Sequence, residues 1–137
     1  MVDSAVARYQ SVRITTGSPG DLLVALYDGL FRFLRVAILS LQNKRRAEAG
    51  QAISKAHAIL TELYVSLDPR HAPELCTNLE NLYAFCLERI VQANLRSNHE
   101  LLEDVVRVLA PVREAFREAV AIVARTGQSA VAMSSSS

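Results

Sequence analysis

The sequence predicts an all-α fold: an antiparallel up-down four-helix bundle with a short helical and extended cap segment ahead of it. Three observations lead there. Four long segments carry apolar residues at helical spacing, and only about two to five residues separate them, which favours antiparallel neighbours. The third is composition: five Gly, four Pro and 6% aromatic residues leave little material for the many turns of an all-β fold. At 137 residues, half of them apolar and 21% charged, the chain is long and apolar enough to bury one core.

The elements follow in order. Asp3 to Gln10 reads as a short helix and Ser11 to Thr16 as extended, together a cap segment over residues 1–17. The first bundle helix starts with Ser18 as N-cap, Pro19 at the first helical position and Asp21 facing the positive helix end. Leu22, Leu26, Leu30, Phe33, Ala37 and Leu41 then form one stripe, which Leu23, Tyr27, Leu34 and Ile38 widen. Its charged ridge is Asp28, Arg32 and Arg35. A helix apolar on most of its circumference belongs at the centre, and it should end near Gln42-Asn43.

The second helix starts near Arg45 to Ala47. Ile53, Ala56, Leu60, Leu63 and Leu67 alternate three- and four-residue steps, a bundle seam, and Asp68-Pro69 closes it. The third runs from about Ala72 to Arg96, with Pro73 in its first turn and a stripe of Leu75, Leu79, Leu82, Cys86, Ile90 and Ala93. Ser97 with Glu100 three residues on reads as a capping box for the fourth helix. That helix carries Leu102, Val105, Leu109, Val112, Phe116, Ala119 and Val123, with a bend expected where Pro111 removes a hydrogen bond. The bundle thus spans residues 18–125. Residues 126–137 lack periodicity and end in four serines, so a disordered tail is expected.

Composition excludes several functions. Fifteen basic against fourteen acidic residues give a net charge of +1, without the strongly basic footprint of a nucleic-acid binder. The basic run Lys44-Arg45-Arg46 reads as solvated charge in a helix connection. Leu22 to Leu41 is the best membrane candidate, but Asp28, Arg32 and Arg35 interrupt it, so no membrane insertion is expected. Cys76 and Cys86 would lie roughly 15 Å apart on one helix, too far for a disulfide. With no signal peptide in Met1 to Gln10, the expected compartment is reducing and cytoplasmic. His57, His71 and His99 have no zinc-ligand spacing, no Glu is followed by His three residues on, and no phosphate loop or nucleophile motif occurs. The expectation is a protein that is no enzyme and uses no cofactor or metal.

Four features fit a plain bundle less well. Gly29 sits mid-helix, best explained by close helix approach. Asp28 is the one acid on a very apolar helix, with Arg32 as an i,i+4 partner. Asn78, Asn81 and Asn94 are weak helix formers, and for Asn94 a solvated face and hydrogen bonding to a bound peptide's backbone stay equally open. Finally, Ala52 and Ile59 lie beside the second seam, and Leu101, Val108 and Ile122 beside the fourth. Such surplus apolar rows fit either a generously packed core or grooves that accept another chain.

Thr15-Thr16-Gly17-Ser18-Pro19-Gly20-Asp21, with Leu26-Tyr27-Asp28-Gly29 and Arg32-Phe33-Leu34, resembles the FliS family of flagellar export chaperones. Further blocks match in the same order: Lys55 to Leu63 with Ser66-Leu67-Asp68, Asn78-Leu79 through Leu82-Tyr83 with Arg89, Ala93 and Asn94, and Arg113-Glu114-Ala115-Phe116. His57 and Phe116 stand where the family usually has Gln and Trp, and the glycine-rich turn before the third helix is missing. The resemblance implies a cytoplasmic chaperone that binds the disordered C-terminal segment of flagellin, prevents its premature polymerisation and keeps it competent for type III export. The implied binding residues are Tyr9, in a mobile N-terminal cap, with Ala52, Ile59, Leu63, Asn94, Leu101 and Val108. Ser18, Pro19, Leu26, Tyr27, Asp28 and Gly29 carry the first-helix motif. The export gate or a flagellar regulator as further partner, and a homodimer of the free chain, stay open. A self-associating structural bundle is the alternative.

Overall fold

The structure, a computed structural model, describes the backbone of residues 19–135 and the side chains of residues 19–127. The expected cap segment, Tyr9 and Ser18 lie outside the described residues. Among the described residues there are four helices: α1 (Pro19–Gln42), α2 (Arg46–Val65), α3 (Pro73–Arg96) and α4 (His99–Ser135). Each packs against the next, and α4 closes the ring against α1. Cross-helix contacts set the directions. Gly20 near the start of α1 meets Val120 late in α4, and Gly29 of α1 meets Ile59 of α2. Arg46 at the start of α2 reaches Asn94 at the end of α3, and Arg89 of α3 pairs with Asp104 of α4. Every neighbouring pair is therefore antiparallel, as the short connections predict.

The core follows alternating three- and four-residue steps. In α3 it is Cys76, Leu79, Tyr83, Cys86, Ile90 and Ala93. The expected stripe named Leu75 and Leu82 instead; Leu75 is 53% exposed and Leu82 lies at the margin. In α1, Tyr27, Leu30, Leu34 and Ala37 are fully buried, while Leu26, Phe33 and Leu41 flank them. The α2 seam adds Ala49 and Ala52 to Ile53, Ala56, Leu60 and Leu63. Its three alanines let α2 sit close to its neighbours.

Several element ends differ from expectation. Ser97 does not start α4. It terminates α3 in the left-handed conformation with φ 51°, and its N–H bonds the Ala93 carbonyl. The cap of α4 is Asn98, whose Oδ1 accepts the Glu100 N–H at 2.9 Å. α4 runs through Pro111 and continues to Ser135, where an irregular tail was expected after residue 125. Of its expected stripe, Leu102, Val105 and Leu109 are buried, but Val123 is 70% exposed, past the point where the start of α1 meets Val120. Among the described residues no helix is long and apolar enough to cross a membrane.

Candidate functional site

The motif Tyr27-Asp28-Gly29 is the place where the bundle's parts converge. Successive helix positions lie about 100° apart, so the three side-chain directions face three different neighbours. Tyr27 points into the core, where its hydroxyl hydrogen-bonds the Tyr83 hydroxyl of α3; either can donate. Its ring packs against Phe116 of α4 at 5.7 Å between centroids, tilted by 38°. Burial raises the pKa of both phenols, strongly for Tyr27, so both stay neutral. Asp28 faces α4, accepting from Arg113 Nε at 3.1 Å and Nη2 at 2.5 Å, and from Arg117 Nη2 at 2.9 Å. This corrects the expected Arg32 partner. Burial works to raise the Asp28 pKa, but the hydrogen bonds and charges of the two arginines outweigh it and hold the carboxyl below its ordinary value. Arg113 also covers the Phe31 ring at 4.7 Å. Gly29 faces α2, where a Cβ would stand 3.4 Å from Ile59 Cδ1, the expected close approach. These residues form a structural knot.

The remaining candidates separate into covered and open ones. Ala52 at 4% and Leu63 at 1% exposure are core residues, a correction to their assignment as partner contacts. Ile59 is half-buried and packs toward Gly29 and the core rather than onto an open groove. Asn94 is engaged from within: Arg46 Nη1 donates to its Oδ1 at 2.9 Å and Nη2 to its carbonyl. Leu101 and Val108 are half-buried, Leu101 at the α3–α4 junction. There a cleft of ≈ 320 Å³ is lined by Leu101 together with Phe85, Glu88, Arg89, Gln92 and Arg96. Ala115 and Ile122 continue the row at seven-residue steps, with Ile122 47% exposed. Phe85, 39% exposed with Arg89 over its ring at 4.9 Å, was missed in the sequence. Its signal was an aromatic side chain off the core stripe.

The two cysteines are buried and free. Burial pushes the Cys86 thiol up to about 12, the behaviour of a packing residue rather than a nucleophile. Of the first-helix motif, Pro19 opens α1 and Leu26 is half-buried against the core.

Residues 2–123 match the family model described as Flagellar protein FliS. The chain belongs to the FliS family. Within it, a flagellar secretion chaperone FliS of Salmonella typhimurium is 34% identical over 106 residues, which cover 77% of this chain and 78% of the relative. The flagellar secretion chaperone FliS of Escherichia coli is 32% identical over 108 residues, 78% of this chain and 79% of the relative. That of Bacillus subtilis is 27% identical over 119 residues, 87% and 88% of the two chains. The FliS blocks recognised in the sequence meet in the knot: Tyr27 and Asp28 from the first, Ile59 from the second, Tyr83 from the third, Arg113 and Phe116 from the fourth. In this FliS-family chain the most recognisable residues therefore hold the bundle.

Proposed function

We propose that this chain is a cytoplasmic flagellar secretion chaperone that binds the disordered C-terminal segment of flagellin, blocks its premature polymerisation and keeps it competent for type III export. Family membership, with relatives named flagellar secretion chaperones, supports the chaperone role. Chaperones of this kind are not an enzyme class. The observation that carries the flagellin reading is the row Leu101, Val108, Ala115 and Ile122 beside Phe85. It is an apolar row along α4 that is half-buried at Leu101 and Val108 and exposed, among the described residues, at Ala115 and Ile122. A disordered partner segment can fold against such a face as an amphipathic helix, its own apolar side chains seated at the same helical spacing. Flagellin held in that way has its self-assembling surface covered, yet the complex depends on a groove rather than a closed core, so it can be released for export.

Co-purification on a size-exclusion column tests it. A stoichiometric complex with full-length flagellin, and none with flagellin lacking its C-terminal segment, is the expected result. Equal binding of both forms overturns the mode. A free chain that is already dimeric through the Leu101–Ile122 row, and that ignores flagellin, favours the self-associating bundle instead.

A further inference from the structure

On the opposite side of α4 from the Leu101 row lies a second cleft, of ≈ 650 Å³, between α1 and α4. Its walls alternate in chemistry. Phe31, Ile38, Leu39 and Val106 provide apolar surface, and Leu39 is 51% exposed. Arg32 and Arg35 stand along it on α1, both exposed. From residue 28 to residue 39 the cleft follows α1 for about 16 Å, or three helical turns.

The charge of this cleft is one-sided. Among the described residues its lining holds three arginines, Arg32, Arg35 and Arg113, against the single carboxylate of Asp28. That carboxylate is already taken by Arg113 and Arg117. Arg32 lies over the Phe33 ring at 5.2 Å, and among the described residues no carboxylate pairs with Arg32 or Arg35. By sequence, the chain's own ends carry no net negative side-chain charge to match it. Residues 1–18 contain Asp3 against Arg8 and Arg13, and residues 126–137 contain no charged side chain.

We propose that the α1–α4 cleft is a second docking site, separate from the Leu101 row, for an acidic amphipathic helix of a partner protein. Three turns of helix match the cleft's length. Apolar side chains at i, i+3 or i+4, and i+7 seat between Phe31 and Leu39, and flanking Asp or Glu side chains meet Arg32 and Arg35. Arginine suits this role because its planar fork pairs with a carboxylate through two hydrogen bonds. The apolar contacts hold the helix, and the charges select and orient it.

The probe is a fluorescein-labelled helical peptide with leucines at those positions and glutamates beside them, with a matched peptide carrying lysines instead. Fluorescence anisotropy with the full chain should show binding of the glutamate peptide and at least tenfold weaker binding of the lysine peptide. The double variant Arg32→Glu/Arg35→Glu should lose the glutamate peptide by at least tenfold. Both positions are exposed, so its circular dichroism melt should match the parent, and it should still bind flagellin. Equal binding of the two peptides, or no effect of the double variant, overturns the proposal. So does loss of flagellin binding in that variant, which would make the cleft part of the flagellin site. Dissociation of a free-chain dimer by the variant would assign the cleft to a second copy. Binding of phosphatidylserine vesicles without the peptide would assign it to a membrane surface. Either outcome also overturns it.

Discussion

Removing one hydroxyl of the Tyr27–Tyr83 pair strands the other in an apolar core. Tyr83→Phe should therefore cost about 1–3 kcal/mol, the penalty of an unsatisfied buried polar group. The double change Tyr27→Phe/Tyr83→Phe should be less destabilised than Tyr83→Phe alone, because nothing polar is left unpaired; urea unfolding of the three proteins checks this. The knot's other polar member responds to acid. Asp28 has a folded pKa below its unfolded value of 3.8. Its pairing with Arg113 and Arg117 thus stabilises fully above that value. The contribution starts to fade near it and is lost as pH falls through the lower folded pKa. Asp28→Asn should flatten that part of the acid limb in urea midpoints measured from neutral pH down to about pH 2, and should matter less at high salt. The Asp28 side chain is 44% exposed, so solvent screening keeps the effect small. Neither partnership was legible in the sequence. Arg32 stands at the right spacing within the helix, whereas Arg113 comes close only through the folding of α4 against α1.

At the scale of elements, the connection between α3 and α4 is where local chemistry is most exposed to test. Ser97 holds φ 51° without being glycine, a conformation that costs a residue with a Cβ roughly 1–2 kcal/mol. Ser97→Gly should raise the melting temperature, and Asn98→Ala should lower it through loss of about 1 kcal/mol of capping. If Ser97 were the N-cap, Ser97→Gly would bring no gain and Asn98→Ala would be nearly silent. The S-x-x-E pattern misleads here because the asparagine next to it competes for the same helix N–H groups. Helix existence and order were legible because each segment repeats its apolar residues. The choice of core row was less so. Leu75 and Leu82 outrank Cys76 and Tyr83 in hydropathy, but the steps from 76 through 79, 83, 86, 90 and 93 keep one side toward the neighbours. The same limit moved Ala52 from beside the seam into the core, since a seam's width depends on how closely the next helix sits.

For the molecule as a whole, the family was legible in ordered motif blocks, but those blocks describe the knot. The proposed binding surface carries no such signature: Leu101, Val108 and Ile122 are ordinary helix residues, and only the fold leaves the first two half-buried and Ile122 exposed. Ile122→Asp places a carboxylate on the open end of that row, where it stays solvated in the free chain. It should weaken flagellin binding by about tenfold, some 1.4 kcal/mol, with an unchanged melt; unaltered affinity in a titration would remove Ile122 from the interface. The way α4 outlasts its neighbours has one more consequence. Residues 121–127 are all exposed, so among the described residues little tertiary packing holds the helix there. Isolated helical stretches of that length are marginal in water. Its amide protons should exchange with deuterium far faster than those around the buried Val105 on the same helix, and a partner laid along Ile122 should slow them. The end of α4 would then act as a built-in gauge of occupancy, read by hydrogen-exchange mass spectrometry without any label on the partner.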